Sequence, residues 1–307
     1  MRVLFMGTPE IAAVCLKALS REHQIAGVFC QPDKPVGRKA VITPPPVKIA
    51  ASELGLPVFQ PEKLRDGEAE RLVRELAPDL IAVVAYGRIL PREILDIPPR
   101  GCVNIHASLL PKYRGAAPIQ RALLDDVKET GVCAMYMAEE LDAGDIISAR
   151  RVSVSDDDDA ASLFVTMSVE GAKLLCSVVS DIENGVTRRT PQNSRLASFA
   201  PPIDKREGEF RWRDGAREIF CRVRAFSMWP NAYFVYDAKT VKVLKARFAE
   251  SAAPEGEILS LDPLTIAARG GALELLEVKP EGSRLMTGSE WAAGRRFKVG
   301  DSVLQEV

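Results

Sequence analysis

Residues 80–85, Leu80-Ile-Ala-Val-Val-Ala85, are an unbroken apolar run flanked by Asp79 and by Tyr86-Gly87. A run this short, rich in β-branched residues and without polar alternation, reads as a strand buried on both faces. A strand of that kind needs cover on both sides. This constrains the chain to a sheet sandwiched between helices. Similar runs occur at 2–6, 25–29, 57–59, 101–106 and 131–138, and 146–154 is expected to pair with a neighbour. Helical spacing falls between them, at 47–54, 66–76, 117–124 and 160–182. Thr8 is placed to cap a first helix, with Pro9 at its first position. Ile11, Val14, Cys15, Ala18 and Leu19 then recur at helical spacing. Strands alternating with helices predict an α/β domain with a Rossmann-like, mostly parallel sheet over residues 1–189.

The pattern changes after that. Residues 190–205 are polar and proline-containing and read as a surface linker. From 206 to 307 one helix, 214–226, is followed by short strands at 232–236, 240–248, 256–261, 264–268 and 273–278. That spacing predicts a smaller OB-like antiparallel β-barrel. Two domains suit a chain of 307 residues. Residues 31–46 read as a Pro-rich loop carrying Lys34, Arg38 and Lys39.

Composition excludes several classes. With 47% apolar and 27% charged residues the chain is not a disordered or low-complexity one. A net charge of −1 excludes a uniformly basic nucleic-acid coat, so any nucleic-acid contact must use a local patch. The six cysteines include no C-x-x-C pair, and His23 and His106 are the only histidines, so no metal site is expected. The cysteines read as buried thiols of a reducing compartment. No stretch approaches the length of about 20 apolar residues that crosses a membrane. A strand beginning at residue 2 or 3 leaves no room for a leader, so a cytoplasmic protein with no membrane partner is expected. The acids at 156–159 are expected to cap a helix start rather than to hold a metal.

Chemistry concentrates at 101–118. On a strand ending at 106, Asn104 and His106 share one face, and Val103 and Ile105 point to the core. The strand's C-terminal end is where open α/β sheets bind ligands. An amide beside an imidazole suits an oxyanion, since both donate hydrogen bonds and the imidazole also carries a proton. A lone Asn-x-His equally describes a structural, hydrogen-bonded histidine. Asp142 and Asp145 flank a glycine turn. Either they form an ordinary Asx turn, or one carboxylate faces His106 and favours its charged form. Gly7-Thr8-Pro9 lacks the glycine fingerprint of a dinucleotide site, which disfavours a nicotinamide-dependent oxidoreductase.

Asn104-Ile-His106-Ala-Ser108-Leu-Leu-Pro111 with Gly115 and Pro118, followed by Leu141-Asp-Ala-Gly-Asp145, resembles the folate-dependent formyltransferase family. Further matches run the length of the chain: Gly7-Thr-Pro-Glu10, Gln31-Pro-Asp-Lys-Pro-Val-Gly-Arg38, Pro57-Val-Phe-Gln-Pro61, Val84-Ala-Tyr-Gly87, Gly115-Ala-Ala-Pro-Ile-Gln120, Arg224-Ala-Phe226 with Trp229-Pro230, and Val241-Lys-Val-Leu-Lys245. They are similar to the branch of that family acting on aminoacyl-tRNA. The resemblance implies transfer of a formyl group from 10-formyltetrahydrofolate, as co-substrate, to the α-amino group of methionyl initiator tRNA. It implies Asn104, His106 and Asp142 as catalytic residues. It implies a folate pocket lined by Ser108, Leu109, Leu110 and Pro111, by Val84, Tyr86, Gly87, Ile89 and Leu90, and by Ala143 and Gly144. The nearest rival it leaves is a folate-dependent formyltransferase of an amino nucleotide sugar; a monomer is expected.

Charge is distributed unevenly in the second domain. Residues 205–247 hold 11 Lys and Arg against 5 Asp and Glu, whereas 248–307 hold 6 against 10. Arg206, Arg211, Lys242 and Lys245 are candidates for phosphate contacts, together with Arg213, Arg217, Arg222 and Arg224. A solvated face with nearby acids is the competing reading for each. By resemblance, Lys34 and Arg38 would engage the acceptor end of the tRNA, although Ala40, Val41 and Ile42 make this loop less basic than is usual.

Overall fold

The structure, a computed structural model, describes residues 1–37 and 40–304. Two compact units account for it. The first comprises residues 1–118, 129–153 and 164–200, and the second comprises 119–128, 154–163 and 201–307.

The first unit contains strands β1 (Arg2–Gly7), β2 (Gln24–Phe29), β3 (Lys34–Val36), β4 (Val41–Thr43), β5 (Val58–Phe59), β6 (Leu80–Val84), β7 (Cys102–His106), β8 (Arg114–Gly115), β9 (Glu129–Tyr136), β10 (Ile146–Ser153) and β11 (Phe199–Ala200). Its helices are α1 (Glu10–Leu19), α2 (Pro46–Glu53), α3 (Glu68–Leu76) and the one-turn α4 (Arg92–Leu95); α5 (Pro118–Leu124) begins at its edge, and α6 (Ala160–Glu183) lies mostly within it. Seven strands form one sheet in the order β10-β9-β7-β6-β1-β2-β5. The five from β7 to β5 are parallel, and β9 runs antiparallel to both of its neighbours. The mostly parallel sheet expected from the apolar runs is present. Leu80 to Val84 are all buried, as strands covered on both faces must be. Chain order reverses between β6 and β1, so the crevice of this sheet opens at Gly7, Val84 and the loops after them.

Several local expectations are corrected. Thr8 does not cap α1: Pro9 takes the N-cap position, and the Thr8 hydroxyl donates to the Tyr86 carbonyl at 3.0 Å. The stretch read as a loop at 31–46 contains the hairpin β3–β4. Arg38 and Lys39 lie outside the described residues. The expectation that no segment is long and apolar enough to span a membrane fails for α6, which passes that test by length and composition. Half of that stretch is buried, and Leu174, Leu175, Val178 and Val179 are at most 2% exposed. It is therefore the apolar face of a core helix that meets the criterion.

The second unit carries β12 (Ala232–Tyr236), β13 (Lys239–Ala249), β14 (Ile258–Leu261), β15 (Leu264–Ala268), β16 (Gly271–Pro280), β17 (Met286–Thr287), α7 (Ala216–Ala225) and α8 (Gly288–Arg295). Its strands pair antiparallel in the order β12-β13-β16-β15-β14, with β17 on β16. Phe210, Trp212, Phe234 and Trp291 pack in its core with ring centroids 5.2 to 5.8 Å apart, mostly edge to face. Helix α8 is an element the periodicity did not predict. Its signal is nonetheless in the sequence, as the Thr287/Glu290 capping box that starts it. The acids at 156–159 divide by role. Asp158 and Asp159 accept hydrogen bonds from Ser155 and Ser162 at the start of α6, as capping predicts. Asp156 instead pairs with Arg217 at 2.5 Å and Lys128 at 3.2 Å.

Candidate active site

His106 is the last residue of β7, opposite Cys133 of β9, and Asn104 stands opposite Met135. Val103 and Ile105 point the other way and are buried, as strand alternation requires. Asn104 is partly exposed, and its carboxamide makes no hydrogen bond among the described residues. His106 is 6% exposed and held from two sides. Its Nε2 donates to the Tyr113 carbonyl at 2.8 Å. Its Nδ1 lies 3.5 Å from Asp142 Oδ2. A carbonyl can only accept, so Nε2 carries a hydrogen, and Nδ1 faces the carboxylate. Their separation of 3.5 Å is an ion-pair distance rather than that of a short hydrogen bond. Of the two readings of Asp142 left open by the sequence, the carboxylate faces the imidazole.

The loops around this pair adopt conformations that the sequence alone does not announce. Asp142 and Tyr113 have φ of +49° and +59°, uncommon for residues with a side chain. Asp142 Oδ2 also accepts the Gly115 amide at 2.9 Å, which ties the two loops together. Glycine is required at two points. A β-carbon on Gly144 would stand 1.8 Å from the Tyr136 carbonyl oxygen, and one on Gly115, whose φ is +123°, would stand 2.7 Å from that of Ala200. The latter contact arises because β11 pairs in parallel with β8. Ser198 adds two bonds to the same loop: its hydroxyl accepts the Tyr113 amide at 2.9 Å, and its carbonyl accepts the Arg114 amide at 2.8 Å. The middle of the stretch read as a linker thus shapes the loop whose carbonyl holds His106. Sequence reasoning missed Tyr113 and Ser198 because both work through backbone groups or a common hydroxyl, which carry no residue-type signature.

The other candidates fall into two groups. Val84, at the end of β6 beside β7, is buried, and Gly87 is exposed with φ +81°. Ile89 is 66% exposed, and with the buried Leu90 it lines a cavity of about 620 Å³ that also meets Leu64, Arg65 and Arg92. Leu109 and Leu110 pack with Cys133 and Met135, Pro111 and Ala143 are partly exposed, and Gly144 is buried. Tyr86 and Ser108 turn inward. Tyr86 is in the core, where burial pushes its phenol up to about 12. The Ser108 hydroxyl donates to the Lys112 carbonyl at 2.7 Å. These two reach a ligand through their backbone at most.

Among the basic candidates, Lys34, Arg211, Arg213 and Lys245 are exposed. Arg206 is exposed and paired with Asp204 at 3.0 Å, and Lys242 is half-buried, donating to Asn231 at 3.2 Å. Three arginines of the same stretch are committed elsewhere. Arg217 bridges Asp126 and Asp156, Arg224 binds Asp126 and the Ser155 carbonyl, and Arg222 binds Glu218 and the Glu209 carbonyl. Their guanidinium groups answer local acids and carbonyls, so sequence charge counting overstated the free positive surface.

Residues 1–179 match the family described as formyl transferase, and residues 202–296 match the formyl transferase C-terminal domain. A methionyl-tRNA formyltransferase of Macrococcus caseolyticus is 42% identical over 300 residues, covering 97% of each chain. One from a Sulfurihydrogenibium species is 43% identical over 309 residues, covering 98% of this chain and 99% of the relative. This chain belongs to the methionyl-tRNA formyltransferase family. The same fold occurs more widely than the methionyl-tRNA formyltransferases. WlaRD, a sugar 3N-formyl transferase solved in the presence of dTDP and 5-N-formyl-THF, superposes with a TM-score of 0.69 at 16% identity, covering 92% of this chain and 99% of its own. HypX from Aquifex aeolicus in complex with tetrahydrofolic acid superposes at 0.65 and 18% identity, covering 95% of this chain and 47% of its own.

Proposed function

We propose that this chain transfers the formyl group of 10-formyltetrahydrofolate to the α-amino group of methionyl-tRNA, giving N-formylmethionyl initiator tRNA. The observation that carries the reading is the arrangement at the end of β7: an uncommitted carboxamide at Asn104 beside an imidazole held between the Tyr113 carbonyl and the Asp142 carboxylate. Identity above 40% over the whole chain favours tRNA as the acceptor over an amino nucleotide sugar, whose enzymes share only the fold with this chain.

An α-amino group has a pKa of about 7.7–8.0, so a useful fraction is neutral near pH 7 and attack needs no strong base. The difficult moment is the tetrahedral stage, when the formyl oxygen becomes an anion and the nitrogen must lose a proton. Asn104 donates to that oxygen. His106, as an imidazolium fixed between the Tyr113 carbonyl and Asp142, puts a positive charge beside it. Asp142 favours that charge and helps pass the proton that leaves the amine toward N10 of the folate, whose bond to the formyl carbon breaks as tetrahydrofolate departs. Val84, Tyr86, Gly87, Ile89 and Leu90, the segment 108–111, and Ala143 and Gly144 bound the folate, with Tyr86 and Ser108 contributing backbone. Lys34, Arg38, Arg206, Arg211, Lys242 and Lys245 contact tRNA phosphates, acting in the cytoplasm on one chain.

The purified chain is expected to convert methionyl-tRNA to its N-formyl form with 10-formyltetrahydrofolate as donor. Formylation of an amino nucleotide sugar, with methionyl-tRNA untouched, would replace this reading with the rival one.

A further inference from the structure

Gln192 was not among the residues singled out by the sequence, and it lies in the stretch read as a linker. Its side-chain amide nevertheless reaches the loop that carries Asp142. Nε2 donates to two backbone carbonyls of that loop, Asp142 at 2.8 Å and Gly144 at 2.7 Å, and lies 3.9 Å from the Met135 sulfur. Oε1 accepts both Nε and Nη2 of Arg114, at 3.1 and 2.8 Å. The orientation of the amide follows from its partners: carbonyls only accept and a guanidinium only donates. Arg114 is 3% exposed and sits between Tyr113 and Gly115, whose backbones hold His106 and Asp142.

We infer that Gln192 is a positioning residue for the proposed reaction, setting the Asp142 carboxylate against His106 by clamping the loop backbone on either side of Ala143. Asp142 is held at φ +49°, a conformation that relaxes unless its surroundings fix it. The amide supplies what the site needs in one planar group: two donors for the loop and one acceptor for the buried Arg114. No other uncharged side chain of that length does both, and a carboxylate in its place does only the second. A residue that aims a catalytic carboxylate matters because a displacement of about 1 Å at a reacting group costs on the order of a hundredfold in rate.

The inference rests on the function proposed above, and its test separates the two. Gln192→Glu keeps the acceptor for Arg114, as a charged partner, and removes both donors from the loop. It is expected to stay folded at the assay temperature and to keep the wild-type KM for methionyl-tRNA, while kcat falls at least about tenfold. In an Asp142→Asn background the same change is expected to cost less than twofold, because two residues acting through one carboxylate are not additive. A merely structural role would move both backgrounds equally. Should Gln192→Glu fail to fold, Gln192→Met, of similar length and without either polar end, carries the same comparison. Wild-type kcat in Gln192→Glu, or an equal loss in both backgrounds, overturns the inference. Failure of the proposed function itself would show differently, as no formylation of methionyl-tRNA by the wild-type chain.

Discussion

Two acid–cation clusters in this molecule show opposite habits. In the second unit Arg217 forms short bonds to Asp126 and Asp156, and Lys128 and Arg224 close the remaining sides. Hydrogen bonds from Arg217 hold the Asp126 carboxyl down at about 2 and that of Asp156 well below the usual carboxylate range. At the end of β7, His106 and Asp142 stand 3.5 Å apart, and Asn104 beside them has no protein partner among the described residues. In the first cluster every charged group already has a charged partner. The second is held in place but left incomplete, which is the condition for stabilising a charge that exists only during reaction. Counting charged residues does not tell the two apart; the contacts do.

The sharpest way to break this contrast is to remove the incomplete group. His106→Ala is expected to lower turnover at least a hundredfold, the cost typical of losing one oxyanion donor, with a melting temperature close to the parent's. Asn104→Ala belongs to the same range. Steady-state kinetics alongside thermal unfolding decide the matter, and near-normal turnover in folded His106→Ala would refute the assignment.

Arg217→Met sharpens the other side. It is expected to lower unfolding free energy by about 2 kcal/mol, the scale of hydrogen bonds to charged groups, while folded enzyme keeps its turnover. Denaturant titration measures the loss, and an unchanged midpoint would mean that this cluster contributes nothing to stability. The same cluster predicts a pH signature. Because the folded-state pKa of Asp126 is lowered, its stabilising contribution is complete above its ordinary value near 3.8 and is lost as pH falls toward about 2. In Arg217→Met the acid-side slope over that window should flatten, and unfolding at a series of pH values reads it directly.

The smallest expected effect concerns Arg38. Arg38→Ala should weaken the use of tRNA and reduce the salt dependence of tRNA binding by about one unit of slope, as loss of one phosphate contact does, while folate binding stays intact. Equal loss of both substrates would point to a folding defect instead.

Much of this is legible in the sequence. The apolar run at 80–85 and its neighbours defined a parallel sheet, because strands buried on both faces cannot tolerate polar alternation. Strand parity placed Asn104 and His106 on one face. Other features were hidden for identifiable reasons. The β3–β4 hairpin lacks the alternation that marks a strand: Val41, Ile42 and Thr43 are all exposed. Gln192 is an unremarkable polar residue until its amide is seen between Arg114 and two loop carbonyls.

By itself, then, the sequence determined what the chain must bury and which side chains a β7 strand would bring out together, since periodicity and residue type act over a few neighbours. Only the tertiary structure decided which charges are free and what aims Asp142. Those outcomes depend on backbone carbonyls, left-handed turns and partners up to about a hundred residues away, as Arg224 and Asp126 are. A polar group's role is set by whether distant chain reaches it first.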